Sequence, residues 1–174
     1  ISGATSSGKT TLLSTVSQYF SPAERVVCAA DTAEIRFAHP HVVRMQTRPA
    51  NAEGHGEITL QDLVRTSLRL RPDRLVVGEV RGAEAIDMLL ALSSGHRGCW
   101  STVHAHSADL THDRLAAIVL RGSPQWSAQS VSDLMQNAID AVIHVTRSPQ
   151  RRRRIASIIQ VTSGTSEILY DAHD

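Results

Sequence analysis

The chain has 174 residues, of which 41% are hydrophobic and only 3% aromatic, so we expect one well-packed domain with an aliphatic core. Lysine and arginine number 18 and acidic residues 17, which leaves a formal net charge of +1. Net charge therefore selects neither nucleic acid nor an acidic membrane surface as a partner.

The predicted elements begin with a glycine-rich loop of the form G-x-x-x-x-G-K-[ST], followed by a helix over residues 11–20. Glycines let the backbone curl so that N–H groups point at phosphates, and a helix N-terminus adds partial positive charge. The loop predicts nucleotide binding, with Lys9 on the β- and γ-phosphates and the Thr10 hydroxyl on a magnesium ion. The alternative is an ordinary Gly/Ser-rich turn. The expected nucleotide contacts are Gly3, Ala4, Thr5, Ser6, Ser7, Gly8, Lys9, Thr10 and Thr11.

Strands and helices then alternate, which favours parallel βαβ units around a central sheet. Apolar runs predict strands at 25–30, 41–46, 74–79 and 99–103. Helical spacing predicts helices at 60–70, 83–92, 110–121 and 127–138, the first with Thr59 as N-cap. Segments 141–146 and 155–161 predict an antiparallel pair, with 168–170 as a candidate short edge strand. The predicted fold class is α/β, a mostly parallel sheet flanked by helices with a C-terminal antiparallel strand pair, in one domain over residues 1–174.

The start of the chain, its two cysteines and its apolar runs indicate the context in which the protein works. A phosphate loop should follow a buried strand, so we expect this chain to lack the first strand and the N-terminal domain of a longer protein. Cys28 and Cys99 lie in apolar strand-like runs, which favours a reduced, cytoplasmic environment. No apolar run approaches the roughly 20 residues that a bilayer span needs, so direct membrane insertion is not expected.

Carboxylates follow two of the predicted strands, at the sheet edge where open α/β sheets bind ligands. Glu79 is predicted to hold magnesium through water, although it could instead cap the next helix. Asp31 and Glu34 follow the strand at 25–30, and Glu34 is the candidate for orienting the attacking water. Either acid could also be an ordinary loop residue or a helix cap.

His96 and His104 bracket the strand at 99–103, and an imidazole there could hydrogen-bond a γ-phosphate. Zinc is not favoured, because His104 and His106 alternate faces and Cys99 should point into the core, which leaves no four-ligand set. The four arginines 151–154 fall at the predicted hairpin turn. They predict a solvated tip or, alternatively, a contact to phosphates or to an acidic partner surface.

Four boxes in order resemble the type II/type IV secretion ATPase superfamily. They are GATSSGKTT (3–11), ADTAEIRF (30–37), RPDRLVVGEVRGAEA (71–85) and SSGHRGCWSTVHAHS (93–107). The third box resembles the tight-adherence and conjugation branch more than the type II secretion or twitching-pilus branch, which usually carries zinc-binding cysteine pairs.

The resemblance implies a RecA-like P-loop NTPase core that uses ATP and Mg²⁺. It implies a homo-hexameric ring at the cytoplasmic face of the inner membrane, bound to a secretion or pilus platform protein, which hydrolyses ATP to power protein export or pilin assembly. By position, Glu34 would polarise the attacking water, Glu79 would be the Walker B acid, and His96 and His104 would be the histidine-box imidazoles. Arg81, directly after Walker B, is a further catalytic candidate. Candidates for acting across a subunit interface are Arg44, Arg48, Arg65, Arg69 and Arg71.

The sequence departs from the family pattern at two positions. The second box usually begins Glu-Asp and here reads Ala30-Asp31, and His106 replaces an Asn in the fourth box. Two alternatives therefore stay open. One is a nucleic-acid translocase on the same core, which the arginine run alone would support and for which no aromatic stacking platform is found, so nucleic acid is not the expected partner. The other is a nucleotide-binding subunit with weak hydrolysis.

Overall fold

The computed structural model describes residues 1–96, 98–148, 150, 152–162 and 165–172. The helices are α1 (Lys9–Val16), α2 (Leu60–Arg69), α3 (Glu84–Ser93), α4 (Leu110–Gly122) and α5 (Ala128–Ala138), and a 3₁₀ turn, Ser17–Tyr19, extends α1. The strands are β1 (Val26–Ala30), β2 (Val42–Gln46), β3 (Arg74–Val77), β4 (Trp100–Ser101), β5 (Ala141–Arg147), β6 (Arg153–Thr162) and β7 (Thr165–Asp171).

The central sheet has the strand order β2-β1-β3-β4, and every pair in it is parallel. β1 lies between two neighbours and is buried along its whole length. Val27 of β1 stands opposite Val43 of β2 and Leu75 of β3. A strand buried on both faces has to be apolar throughout, which is the pattern that VVCAA shows.

The sheet is covered on both faces. Leu75 and Val77 pack into a cluster with side chains of α2, α3, α4 and α5, such as Val64 and Leu89. Val76, between them in sequence, packs on the other side with Leu13 of α1. Because successive residues of a strand point to opposite faces, this alternation shows that α1 covers one face and the remaining helices cover the other. The predicted α/β class, with helices flanking a mostly parallel sheet, is confirmed.

A short extended segment, residues 1–3, links the central sheet to a second sheet. Ser2 forms parallel bridges with Val103 on one side and His144 on the other. Its N–H donates to the Ile143 carbonyl at 2.8 Å, and its carbonyl accepts from the Val145 N–H at 2.8 Å. Ser2 is fully buried. The glycine-rich loop therefore begins directly after an extended segment that lies between the two sheets.

The second sheet is antiparallel, with the order β5-β6-β7. The sequence predicts β5 and β6 as a pair and only a short edge strand at 168–170. In the structure β7 extends over Thr165–Asp171 and pairs with β6 from Thr162 to Ser157, with one register irregularity between Ile158 and Ile159. The extra length includes Glu167 and Asp171, residue types that disfavour strands, and these two residues pair with Gln160 and Ser157 of β6. None of the helices in the described part of the chain has the length and apolar surface to cross a bilayer.

Candidate nucleotide-binding site

The octet Gly3–Thr10 forms a loop that ends in the first turn of α1. Gly8, the residue before the helix, has a φ of 108°, and Ser6 also lies in the left-handed region with a φ of 60°. A Cβ at Gly3 would lie 2.3 Å from the Val145 carbonyl oxygen and 2.5 Å from Ser7 Oγ. Glycine is thus required at both fixed positions of the motif, at Gly8 by backbone conformation and at Gly3 also by the close approach of β5.

The Lys9 side chain folds back over the loop and is 6% exposed. Its Nζ donates to the carbonyl oxygens of Gly3 and Ala4, both at 3.0 Å, and to Nδ1 of His104 at 3.1 Å. Burial lowers the pKa of Lys9, and the nearby Glu79 carboxylate opposes that shift. The ammonium group is therefore held at the mouth of the loop by acceptors that phosphate oxygens can replace.

His104 connects Lys9 to Glu79. Its Nε2 lies 3.3 Å from Glu79 Oε1, with both side chains a little more than one-third exposed. A lysine ammonium can only donate, so Nδ1 must be the acceptor and the ring proton of the neutral imidazole is assigned to Nε2, facing Glu79. The fold brings these groups together because β3 leads to Glu79 and the segment after β4 leads to His104, both at the carboxyl edge of the sheet.

A cleft of about 580 Å³ opens beside the first half of the loop. Its lining residues are Ala4, Thr5, His104, Ala105, His106, Leu110 and Arg114. His106, which replaces the family's usual Asn, thus faces the same cleft as His104. Arg114 lies on an exposed turn of α4, and nothing in its sequence neighbourhood indicates a place beside the phosphate loop.

His144 contacts the segment that precedes the loop, and the sequence did not predict a role for it. This side chain of β5 is buried, and its Nδ1 lies 2.9 Å from Ser2 Oγ. Burial lowers the pKa of His144, while Asp109 and a hydrogen bond to the His106 backbone oppose the shift. His144 therefore joins the segment that precedes the loop to the segment that carries His106. Its position depends on the pairing of Ser2 with β5, which leaves no mark on the local sequence.

Glu34 does not enter this cluster. It lies exposed in the turn after β1, and among the described residues its side chain has no hydrogen bond or ion pair. Asp31, at the start of the same turn, accepts a hydrogen bond from Thr47 Oγ1 at 3.1 Å and pairs with the guanidinium of Arg81. Arg81 is directed at Asp31, and the predicted catalytic roles of Glu34 and Arg81 stay predictions.

Ala30 packs tightly at the end of β1. A Cβ placed on Gly78 would lie only 2.8 Å from the Ala30 methyl group, and Ala30 itself is 8% exposed. The position that usually holds an acid in the resembling family is therefore a small apolar contact between β1 and the segment that leads to Glu79.

His96 precedes the amino end of β4, whereas His104 follows its carboxyl end. His96 follows the C-terminal end of α3, where its N–H donates to the Ala91 carbonyl at 3.2 Å. Two residues further on, Gly98 approaches Arg74, the first residue of β3. The structure does not bring His96 to the loop within one chain, because the two histidines stand at opposite ends of one parallel strand. A role of His96 in hydrolysis stays a prediction.

Thr10 and Glu79 are the groups that would hold magnesium. Magnesium in nucleotide sites is bound by one or two protein oxygen ligands together with phosphates and water. Thr10 lies in the first turn of α1 and Glu79 lies at the same sheet edge beside Lys9, so their oxygens fit that small donor set. No group of three or more His, Cys, Asp or Glu in the described ranges is placed to hold a metal by itself.

Three of the five arginines suggested for contacts between subunits have partners within the chain. Arg65 pairs with Asp87 at 2.9 Å, and Arg48 donates to the Gly56 carbonyl at 2.7 Å. The guanidinium of Arg44 lies 5.7 Å from the centroid of the Phe37 ring. These contacts do not rank the three, and Arg69 and Arg71 remain equally open candidates.

Comparison with known proteins identifies the family. Residues 1–170 match the family described as "Type II/IV secretion system protein". The chain belongs to this family. A "Putative conjugal transfer protein" of Mycobacterium tuberculosis is 45% identical over 158 residues, which cover 91% of this chain and 44% of that protein. Type IV secretion system protein PtlH of Bordetella pertussis is 35% identical over 164 residues, 91% of this chain and 48% of that protein.

A solved structure agrees with this assignment. The VirB11 ATPase from the Brucella suis type IV secretion system, determined in complex with sulphate, matches with a TM-score of 0.81 at 30% identity. The match covers 91% of this chain and 46% of that one. The fold class is therefore that of the secretion ATPases, as the four boxes imply. This chain spans about half the length of the relatives it matches.

Proposed function

We propose that this secretion family member hydrolyses ATP to ADP and phosphate. The observation that carries the proposal is the chain of contacts from Lys9 through His104 to Glu79 beside a phosphate loop. A loop alone binds phosphates, whereas hydrolysis also needs a metal-supporting acid and polar groups around the γ-phosphate. The candidate polar group is the His104 imidazole, whose Nδ1 lies 3.1 Å from Lys9 Nζ. The candidate acid is Glu79, whose Oε1 lies 3.3 Å from His104 Nε2.

Each residue has a part in the proposed reaction. The loop N–H groups and Lys9 would neutralise the β- and γ-phosphates, with the phosphate oxygens replacing the Gly3 and Ala4 carbonyls as partners of Nζ. Water then attacks the γ-phosphorus, the bond to the bridging oxygen of ADP breaks, and a water proton passes to a carboxylate. Glu34 remains the predicted acceptor, which requires the exposed turn after β1 to close on the bound nucleotide. Thr10 and Glu79 would hold magnesium, which would supply positive charge to offset that of the phosphates.

The wider assembly is part of the proposal. From the resemblance of the four boxes we infer a homo-hexameric motor for protein export or pilin assembly. The names of the relatives, which refer to conjugal transfer and type IV secretion, support the secretion part of this inference. It would work at the cytoplasmic face of the inner membrane on a platform protein. Sedimentation of the protein with and without ATP and Mg²⁺ tests this: a hexamer is expected, and a monomer under every condition would contradict it.

Phosphate release tests the chemistry. Wild type should release phosphate from ATP in a Mg²⁺-dependent reaction, and Lys9→Ala should lose it because the loop loses its only ammonium. Equal rates for the two proteins would refute the proposal. Addition of single-stranded DNA or RNA addresses the translocase alternative, which predicts stimulation where the export motor predicts none. Nucleotide binding with no turnover in wild type would favour the weakly hydrolysing subunit, for which Ala30 and the exposed Glu34 give some support.

A further inference from the structure

The start of β6 lies against the second half of the phosphate loop. A Cβ placed on Gly8 would come within 2.9 Å of Arg153 Cδ and 3.6 Å of both Cγ and Nε. The methylene stem of Arg153 thus runs along the residue that precedes α1. The arginine run is therefore not only a solvated hairpin tip, as one of the two predictions had it. Arg153 belongs to β6 and lies against the loop at Gly8. Arg151 lies outside the described residues.

Arg153 also borders a small cleft of about 190 Å³. The cleft is lined by Ser7, Gly8, Thr11, Leu12, Thr15, and the β5 and β6 residues Val145, Arg153, Arg154 and Ile155. None of these residues lines the larger cleft that contains His104. One cleft therefore flanks the first half of the loop, and the other flanks its second half and the first turns of α1.

The position of the hydrolytic groups gives the two clefts different roles, if the proposed ATP hydrolysis is correct. Lys9, His104 and Glu79 meet where the γ-phosphate must be attacked. A triphosphate that follows the loop from there has its α-phosphate, and hence its nucleoside, at the other end. That end is the cleft beside Gly8, Thr11 and Arg153.

We propose that Arg153 holds the nucleoside of ATP in this cleft, with its guanidinium stacked on the base. A guanidinium is planar and weakly hydrated and stacks well on aromatic faces. Leu12, Val145 and Ile155 supply apolar wall for the ring, and Gly8 leaves the space in which the arginine stem lies. Among the described residues, no salt bridge or side-chain hydrogen bond holds the Arg153 guanidinium elsewhere.

Binding measured by calorimetry on three proteins tests this assignment. The proteins are wild type, Arg153→Met and the matched control Arg152→Met, which removes the same charge from the neighbouring residue outside the cleft. Each is titrated with ATP and with inorganic tripolyphosphate, which has the phosphates and no nucleoside. Arg153→Met should weaken ATP binding about three- to thirtyfold and leave tripolyphosphate binding within about twofold. Arg152→Met should change neither.

Three results would overturn the assignment. They are an ATP affinity unchanged by Arg153→Met, an equal loss for ATP and tripolyphosphate, which would make Arg153 a phosphate contact, and an equal loss in Arg152→Met, which would reflect net charge. Turnover distinguishes this proposal from the hydrolysis on which it rests. Arg153→Met should raise KM for ATP and leave kcat within about twofold of wild type, whereas failure of ATP hydrolysis itself would show as a wild type that releases no phosphate. Thermal denaturation of each variant checks that the fold is retained.

Discussion

Replacement of Gly3 by alanine probes the junction between the buried extended segment and the phosphate loop. Gly3 has a φ of 153°, and an added Cβ would lie 2.3 Å from the Val145 carbonyl oxygen. That carbonyl cannot move freely, because the N–H of the same residue donates to the Ser2 carbonyl at 2.8 Å. Backbone strain of about 1–3 kcal/mol and overpacking of about 1–3 kcal/mol together predict a loss of about 2–6 kcal/mol in the free energy of unfolding.

Urea denaturation measures this loss, with Gly54→Ala as the matched control. Gly54 has a φ of 80°, and nothing lies within 4 Å of a Cβ added there, so its replacement carries only a backbone cost of about 1–2 kcal/mol. Gly3→Ala should also weaken ATP binding, because a Cβ that clashes with the Val145 carbonyl oxygen and Ser7 Oγ would displace the loop. If Gly3→Ala is no more destabilising than Gly54→Ala, the contact with β5 does not constrain the loop as described.

Three further predictions concern other parts of the structure. Burial lowers the pKa of His144 below its ordinary value of 6.5, so the unfolded chain binds a proton that the folded chain resists, and stability should fall as pH drops below that value. From pH 7.5 to pH 5.5 the thermal midpoint should fall less in His144→Gln than in wild type. An equal fall in the two proteins would contradict this prediction. Arg81→Ala should lower the free energy of unfolding by less than about 1 kcal/mol, because the Arg81 side chain in its pair with Asp31 is mostly exposed. The same variant should slow ATP turnover severalfold, and a variant that turns over as fast as wild type would refute the predicted catalytic role of Arg81. Thr59→Ala removes the capping box with Asp62 and should cost about 1 kcal/mol in urea denaturation, whereas Thr59→Ser should cost less.

Local sequence signals locate most elements of the fold. The predicted limits of α2, α4 and α5 each fall within one residue of those in the structure, because caps and breakers mark the ends. Thr59 accepts from the Asp62 N–H at 3.1 Å at the start of α2, and Pro72 follows its end. Uninterrupted apolar runs likewise predict β1 and β3. For the site, the same signals predict Lys9 and the two strand ends that bring Glu79 and His104 beside it.

What the sequence does not reveal depends on contacts between distant segments. β7 is longer than predicted because residues on both sides of the segment 168–170 also pair with β6. His96 and His104 are close in sequence, yet the strand between them separates them across the sheet. Arg153 comes beside Gly8 only because Ser2 pairs with β5 and β5 pairs with β6, a relation between the two ends of the chain that no local pattern records.

The Glu79→Gln variant tests the account's central claim most directly, because it changes one carboxylate oxygen and leaves the loop and Lys9 intact. ATP binding and single-turnover hydrolysis should be measured on the same preparation with Mg²⁺, beside wild type. We expect Glu79→Gln to bind ATP within about threefold of the wild-type affinity and to hydrolyse it at least about 100-fold more slowly. Hydrolysis by Glu79→Gln at the wild-type rate would contradict the claim that Glu79 completes a hydrolytic site around this phosphate loop.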